Sequence, residues 1–536
     1  MKNLILGAAI VSALTATSAQ AVINVDANGI PVINPTDTNI LYLSGASAAV
    51  NFIEKLITDP TVPGIDKICD TTKKVWKFKD SLTGSDQNAY LCERAASNTS
   101  LPTNKPNVLV YKRSAGGSAF GVSPIIADAN NDVGNATIEF LKISSACTQN
   151  TAPVAGSTLG VITCPYDLAD PGKVVQHISD FGISDVDPIQ FTGNNAPAGY
   201  ANVTEADLAL LTVKAASALT FGVPVTKNLY FALQAAQIAP NGALPASCAG
   251  SETEACMPSL TSAQIASIHA GSVVDWNQLK VGNSGLGLYA WAASNAAAYL
   301  PGSSLLHTCR RENGSGTQTQ SNIKFLADPC SSVGIPAASD FSQVVGGEGE
   351  GYPMIHENNT SGSVENCLVE LNDGTNAANG FDNQWGKRWA VGIQSLEKKT
   401  SAASGFRFVK LDGVAPTLAN VMSGKYRDWA ENTFQYSNSH KFSLNSTENA
   451  ALKKLTDAII KSAGAPEVMA ALNNGFTHTF TTDKGAYLAT PTNFTPEANG
   501  VFNPSRPVNV YSHAISGSAV NNCRVPTVFN NGDAKL

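Results

Sequence analysis

A strand-like run that gives way to a turn of small residues recurs along this chain, and the pattern restricts it to layered α/β architectures. Ile40-Leu41-Tyr42-Leu43 is followed by Ser44-Gly45-Ala46-Ser47-Ala48-Ala49, after which Val50, Ile53 and Ile57 fall at helical spacing. Val108 to Tyr111 runs into Ser114-Ala115-Gly116-Gly117, and His177 to Asp185 reads as a short strand ending in a polar turn. Leu219 to Val225 and Leu229 to Leu233 read as strands. Leu260 to Leu279 reads as a helix and turn ending in Asp275-Trp276, echoed at Leu418 to Trp429. At 536 residues the chain exceeds one ordinary core, so two or more domains are expected.

The stretch Cys309 to Thr319 carries the strongest chemical signal. It places Arg310 and Arg311 ahead of Gly314-Ser315-Gly316-Thr317, and Ile323 and Leu326 let a helix follow. The first turn of such a helix exposes N–H groups, and Arg311 adds a fork matched to two oxygens of a tetrahedral oxyanion. The competing reading is a solvated turn with a Ser or Thr N-cap. The net charge of −7 gives no footprint for nucleic acid or an anionic membrane, so an anion site must supply its attraction locally.

Residues 1–21 read as a signal peptide, with Lys2, an apolar run from Leu4 to Leu14, and Ala19-Gln20-Ala21 before cleavage. No later run is long and apolar enough to insert in a membrane, so a periplasmic or secreted location is expected. The ten cysteines then read as disulfides. Sequence order suggests Cys69–Cys92, Cys147–Cys164 and Cys248–Cys256, then Cys309–Cys330 and Cys367–Cys523. No Cys-x-x-Cys occurs.

Four loops, in order, resemble those of the phosphate-binding (PstS-type) periplasmic solute-binding proteins, including their DING-like branch. These are Leu43 to Ala49, Ser114 to Gly117, Asp180-Phe181-Gly182-Ile183-Ser184-Asp185, and Arg310-Arg311-Glu312-Asn313-Gly314-Ser315-Gly316-Thr317. Leu260 to Trp276 resembles the stretch that precedes the last of them. The resemblance implies a two-lobed type II periplasmic-binding-protein clamshell with disulfide-bearing insertions at about 122–176 and 327–386. Lobe one would comprise 22–217 and 400–536, and lobe two 218–399. It further implies capture of inorganic phosphate or a similar oxyanion, with an ABC permease as a partner it allows and no cofactor. Arg311 would make the bidentate contact. Ser315, Gly316 and Thr317 would donate, as would Ser114, and Asp185 would accept a hydrogen from a protonated oxyanion. Ala49 replaces the family's Thr, leaving its N–H, with Ser47 able to replace the hydroxyl. Asn313 stands where an Asp usually steadies the arginine.

Other constellations point elsewhere. Asp128 to Gly134 with Glu139 nearly fits a calcium loop, but the glycine comes one place late. The seven histidines make no His-Glu-x-x-His, and no Gly-x-Ser-x-Gly occurs, so no metal site or hydrolase is indicated and the chain reads as a non-enzyme. Gly346 to Gly351 is glycine-rich but acidic, which suits a flexible loop better than a phosphate cradle. Two alternatives from other classes stand beside the binding protein. One is a secreted phosphatase-like enzyme on the same scaffold; the other is an extracellular interaction or assembly protein that has lost the ligand.

Overall fold

The structure is a computed structural model. It describes residues 23–534 apart from 49, 60–67, 85, 241, 340–350, 378–380 and 517. The expected signal peptide, Ala49 and residues 346–350 of the acidic glycine-rich loop lie outside the described residues.

The chain forms an α/β protein in which 16 of the described strands join into one mixed sheet. Thr38–Gly45 runs parallel to both its neighbours, Asn107–Arg113 and Phe181–Ser184. His307–Arg311 runs parallel to both of its own, Met354–Asn358 and Ala390–Gly392. These two parallel sets are joined through Leu211–Thr226, a strand of 16 residues and about 50 Å. Its first half pairs antiparallel with Trp429–Ser437, and its second half with Phe406–Leu411. Ligands of open α/β sheets meet the carboxyl ends of parallel strands, and every small-residue turn noted above follows such an end.

The helices follow local signals. Val50–Thr58 buries Phe52, Ile53 and Ile57 against the sheet. Leu229 to Leu233 is not a strand but part of the helix Lys227–Ile238, which buries Leu229, Tyr230, Ala232 and Leu233. A five-residue apolar run fits either period, and here the flanking Asn228 and Gln234 supply the helical alternation.

The segment expected as an insertion at 122–176 builds a second, smaller core. Ile138, Phe140 and Ile162 pack there with Trp76 and Phe78, and Gly160–Cys164 extends the main sheet. Its calcium-like carboxylates go to separate partners. Asp128 meets His440, Asp132 caps Asn135, and Glu139 pairs with Arg113. The segment 327–386 is only partly an insertion, because Met354–Asn358 and the helix Ser361–Asp373 belong to the second parallel set.

Three disulfides follow sequence order: Cys69–Cys92, Cys147–Cys164 and Cys248–Cys256. The other two do not; they are Cys309–Cys367 and Cys330–Cys523. The helix Ser361–Asp373 packs on the strand that carries Cys309, so spatial neighbours displace sequence neighbours.

Close approach of backbones fixes the first parallel set. A Cβ on Gly182 would lie 1.8 Å from the carbonyl oxygen of Gly121, so no larger residue fits. On the outer side, His440 bridges Asp128 at 2.9 Å and Asp180 at 3.0 Å, and Asp180 also accepts from Tyr42 N. Burial alone would lower the His440 pKa, but the two carboxylates outweigh it and hold it at about 9. A raised folded-state value means stability fully present below the unfolded pKa of about 6.5 and lost as pH rises through about 9. Urea unfolding of wild type and His440→Gln across pH 6 to 10 is expected to show wild type losing about 3 kcal/mol relative to the variant as pH rises.

Candidate functional site

Arg311 ends its strand 1% exposed. Its Nε donates to Asn358 O at 3.0 Å, Nη1 to Ser47 Oγ at 2.7 Å and Ser361 Oγ at 3.4 Å, and Nη2 to Asn359 O at 2.5 Å. Among the described residues no carboxylate lies within ion-pair distance of it, whereas its neighbour Arg310 pairs with Glu357. A buried guanidinium whose hydrogen bonds all go to neutral oxygens has its charge offset only beyond contact distance, by Glu312, Asp185 and Asp86. The Ser47 and Ser361 hydroxyls accept from Arg311, so their own hydrogens can turn to an anion.

The following turn has the expected form, with one change. Ser315 caps the helix Gly316–Ser321 by accepting from Gln318 N at 3.4 Å, so the expected N-cap is present, on a turn residue that is buried and not solvated. The helix continues as one π turn, Asn322–Leu326. A Cβ on Gly316 would lie 2.2 Å from Ser118 Oγ and 2.8 Å from Asp185 Cβ, which makes glycine necessary where the two parallel sets meet. Thr317 Oγ1 donates to Asp185 Oδ2 at 3.2 Å, and Asn432 Nδ2 to Oδ1 at 3.3 Å. Burial pushes Asp185 up to about 6 despite Arg311, Thr317 and Lys112, so it is ionised at neutral pH.

The structure thus brings Arg311, Ser47, Ser315, Gly316, Thr317 and Asp185 into one buried cluster that also includes Ser361, with the backbone carbonyl of the exposed Asn359 at its edge. Ser114 lies beside it, where its Oγ accepts from Lys112 Nζ at 3.1 Å. Ala49 lies outside the described residues.

The sequence alone assigns no role to Lys112, Ser118, Asn359, Ser361, Glu397 or Asn432. Two of them carry a signal: Asn359 to Ser363 is another small-residue turn between a strand and a helix with Val364, Leu368 and Leu371 at apolar spacing. Lys112 is fully buried and donates to Gly45 O at 2.8 Å, Arg113 O at 2.9 Å and Ser114 Oγ. It ties the first turn to the second. Burial lowers its pKa to about 7, against the pull of Asp185 and Glu397.

A groove of about 1080 Å³ lies away from this cluster, between Leu211–Ala215 and Ile460, Lys461 and Phe494. Its Lys214 and Asp457 pair with each other, and its Lys461 is exposed, so it lacks a buried cation of the kind found at Arg311.

No protein-family model matches the chain, and no curated protein matches it by sequence. Solved structures are similar in outline. One is provisionally described as a phosphate ABC transporter substrate-binding protein with bound phosphate, from Clostridium perfringens. It is 13% identical with a TM-score of 0.35, over 82% of this chain and 98% of that one. PstS from Borrelia burgdorferi is 10% identical with a TM-score of 0.29, over 78% and 97%. An ABC-type phosphate transport receptor from Vibrio cholerae is 13% identical with a TM-score of 0.26, over 52% and 74%. At these values the likeness does not identify a ligand for this chain.

The three hydrogen bonds of Lys112 bear directly on stability. Lys112→Met orphans three buried acceptors and is expected to cost about 3 kcal/mol or more, read as a lower urea midpoint at unchanged slope.

Proposed function

We propose that this protein is an exported solute-binding protein that captures a tetrahedral oxyanion, phosphate before others, between two lobes of a type II binding-protein clamshell. The observation that carries the reading is the buried guanidinium of Arg311, held by neutral groups with no carboxylate in ion-pair reach among the described residues. An anion would supply charge in direct contact. It would accept from the Arg311 Nη2 hydrogen that Asn359 O leaves free and from the Ser47 and Ser361 hydroxyls, whereas the Thr317 hydroxyl is already given to Asp185. Each charge-assisted hydrogen bond contributes about 1.5–3 kcal/mol, so three or four support a micromolar dissociation constant, about −8 kcal/mol, after ordering costs.

The lobes in this reading are residues 22–217 with the C-terminal segment, and 218–399 extended by Phe406–Leu411. The long strand Leu211–Thr226 is then part of the hinge. The groups that meet the anion come from both lobes, so the closed state is favoured only when ligand engages them together. Five disulfides and no free cysteine among the described residues fit a protein matured in an oxidising compartment. No described helix is long and apolar enough to cross a membrane. An ABC permease is the partner this reading implies.

Asp185 decides which anion. Ionised at neutral pH, it repels a fully deprotonated ligand and accepts a hydrogen from one that still carries a proton. Titration calorimetry of the mature, ligand-stripped protein is expected to give phosphate binding at micromolar level or tighter and none for sulfate. Arg311→Ala is expected to weaken it by at least about a hundredfold, because truncating a buried charge contact costs about 3 kcal/mol or more. An unchanged constant in that variant, or no heat from phosphate or arsenate with wild type, defeats the proposal. Asp185→Asn removes the repulsion, so measurable sulfate binding is expected in that variant alone.

A further inference from the structure

Arg311 is enclosed, but not equally on every side. Of the residues that accept from its guanidinium, Asn358, Ser47 and Ser361 are buried and Asn359 is exposed. Solvent thus comes nearest the guanidinium at Asn359. Whatever holds Asn359 in place governs passage between solvent and Arg311.

Two side chains hold the Asn359 amide. Ser363 Oγ donates to its Oδ1 at 2.9 Å, from the helix Ser361–Asp373 that the turn leads into. Its Nδ2 donates to Asp86 Oδ2 at 3.0 Å, and these two residues lie 273 apart in sequence. The first bond is local and travels with the turn. The second crosses from the segment that holds Arg311 to the opposite wall of the site.

Asp86 is a fixed post for that bond. It is 5% exposed and ends the turn between the strands Val75–Asp80 and Gln87–Glu93. Asp80 organises the turn, because its carboxylate accepts from the N–H groups of Leu82, Thr83, Gly84, Asp86 and Gln87 at 2.7 to 3.1 Å. The Asp86 carbonyl accepts from Ser114 N at 2.7 Å and Ala115 N at 3.1 Å. One residue therefore meets the Ser114 turn with its carbonyl and the holder of Arg311 with its carboxylate. The other contacts across the site, Arg311 to Ser47, Thr317 to Asp185 and Ala119 to Gly314, join buried residues, so Asp86 to Asn359 is the one at the rim.

We propose that the Asp86–Asn359 hydrogen bond is the rim latch of the anion site, with Asp86 a positioning residue that holds Asn359 over Arg311 and sets how slowly a bound anion leaves. This rests on the oxyanion reading above and deepens it, because it assigns the release step to a residue outside the four motif-like loops. In that reading the bond spans the two lobes, so it forms on closure and breaks on opening. A hydrogen bond to a carboxylate changes an equilibrium constant about tenfold or more. A bond made after the anion has entered acts on the dissociation rate and leaves the association rate alone.

The test is the rate at which radiolabelled phosphate, chased with unlabelled phosphate, leaves the mature full-length protein. Wild type is compared with Asn359→Ala, Asp86→Ala, the double variant and Ser363→Ala. Asn359→Ala removes the Nδ2 donor and keeps the backbone carbonyl that meets Arg311. Asp86→Ala also removes a charge that acts on Arg311, so the quantity read is the effect of Asn359→Ala in each background. Asn359→Ala is expected to speed release about tenfold in the wild-type background, with association changed less than about twofold, and to add nothing in the Asp86→Ala background. Ser363→Ala is expected to change release less than about twofold, because its bond does not cross the site.

Unchanged release in Asn359→Ala overturns the proposal. So does an equal acceleration in both backgrounds, which would mean that Asn359 acts without Asp86, or an acceleration of the same size in Ser363→Ala. In each of these cases wild type still binds phosphate and the oxyanion reading stands. Wild type that binds neither phosphate nor arsenate defeats that reading, and the latch with it.

Discussion

A guanidinium taken out of water must be repaid in hydrogen bonds and in charge, and Arg311 receives the first in direct contact and the second only beyond ion-pair distance, from Glu312, Asp185 and Asp86. Its donors are met by two backbone carbonyls and two serine hydroxyls from three separate segments, the first turn at Ser47, the strand end at Asn358 and Asn359, and the helix start at Ser361. Neutral oxygens orient the group but leave its field intact. The neighbouring Arg310 shows how the fold treats a buried cation elsewhere, by pairing it with Glu357. The difference between adjacent arginines on one strand is what sets this polar cluster apart as the candidate anion site.

The surrounding architecture delivers that guanidinium. Both parallel strand sets end at the same place, so turns that follow Thr38–Gly45, Asn107–Arg113, Phe181–Ser184, His307–Arg311 and Met354–Asn358 converge. Convergence this close requires residues without Cβ atoms at Gly182 and Gly316. It also requires a fixed relation between turns, which Lys112 provides by reaching Gly45 O and Ser114 Oγ from one ammonium group. A net charge of −7 gives the molecule as a whole no attraction for an anion. Burial opposes the ionised form of Asp86, Asp185, Glu312 and Glu397 alike, which limits the negative charge gathered around Arg311.

The parts legible in the sequence are those carried by local pattern. Strand, small-residue turn and helix identify the turns at Ser47, Ser114, Asp185 and Arg311, because glycine and serine mark close approaches and caps wherever they follow a strand. The same rule covers Asn359 to Ser363, but the cysteine that follows makes this segment read as part of an insertion. Lys112 and Glu397 are illegible for a different reason. A lysine at a strand end is usually solvated, and a Leu-Glu-Lys-Lys run reads as an exposed face; only the three-dimensional packing of Tyr487 and Phe52 buries Glu397. The cysteines show the same limit. Local pairs such as Cys248–Cys256 follow from order, while Cys309–Cys367 depends on a helix crossing its own sheet. Leu229 to Leu233 misleads because a short apolar run has no period of its own.

The fifth disulfide constrains how such a site can open. Cys330 follows the helix that begins at Ser315, and Cys523 lies in a C-terminal segment bound to the other parallel set, where Asn522 N donates to Asp187 at 2.7 Å. The bond joins residues 193 apart in sequence and holds their Cα atoms at 5.2 Å. Any motion that separates Arg311 from Ser47 must preserve that distance. In the proposed clamshell this tether would place the axis of opening on the disulfide's side of the molecule, with the long strand Leu211–Thr226 as the noncovalent part of the same hinge. Rotation about that axis would break the Ala119 N to Gly314 O hydrogen bond, at 2.8 Å, together with the Thr317 to Asp185 bond at 3.2 Å. Bonds that break in one rotation also form in one, so a bound anion that bridges Arg311 and the opposing turns biases the whole set at once.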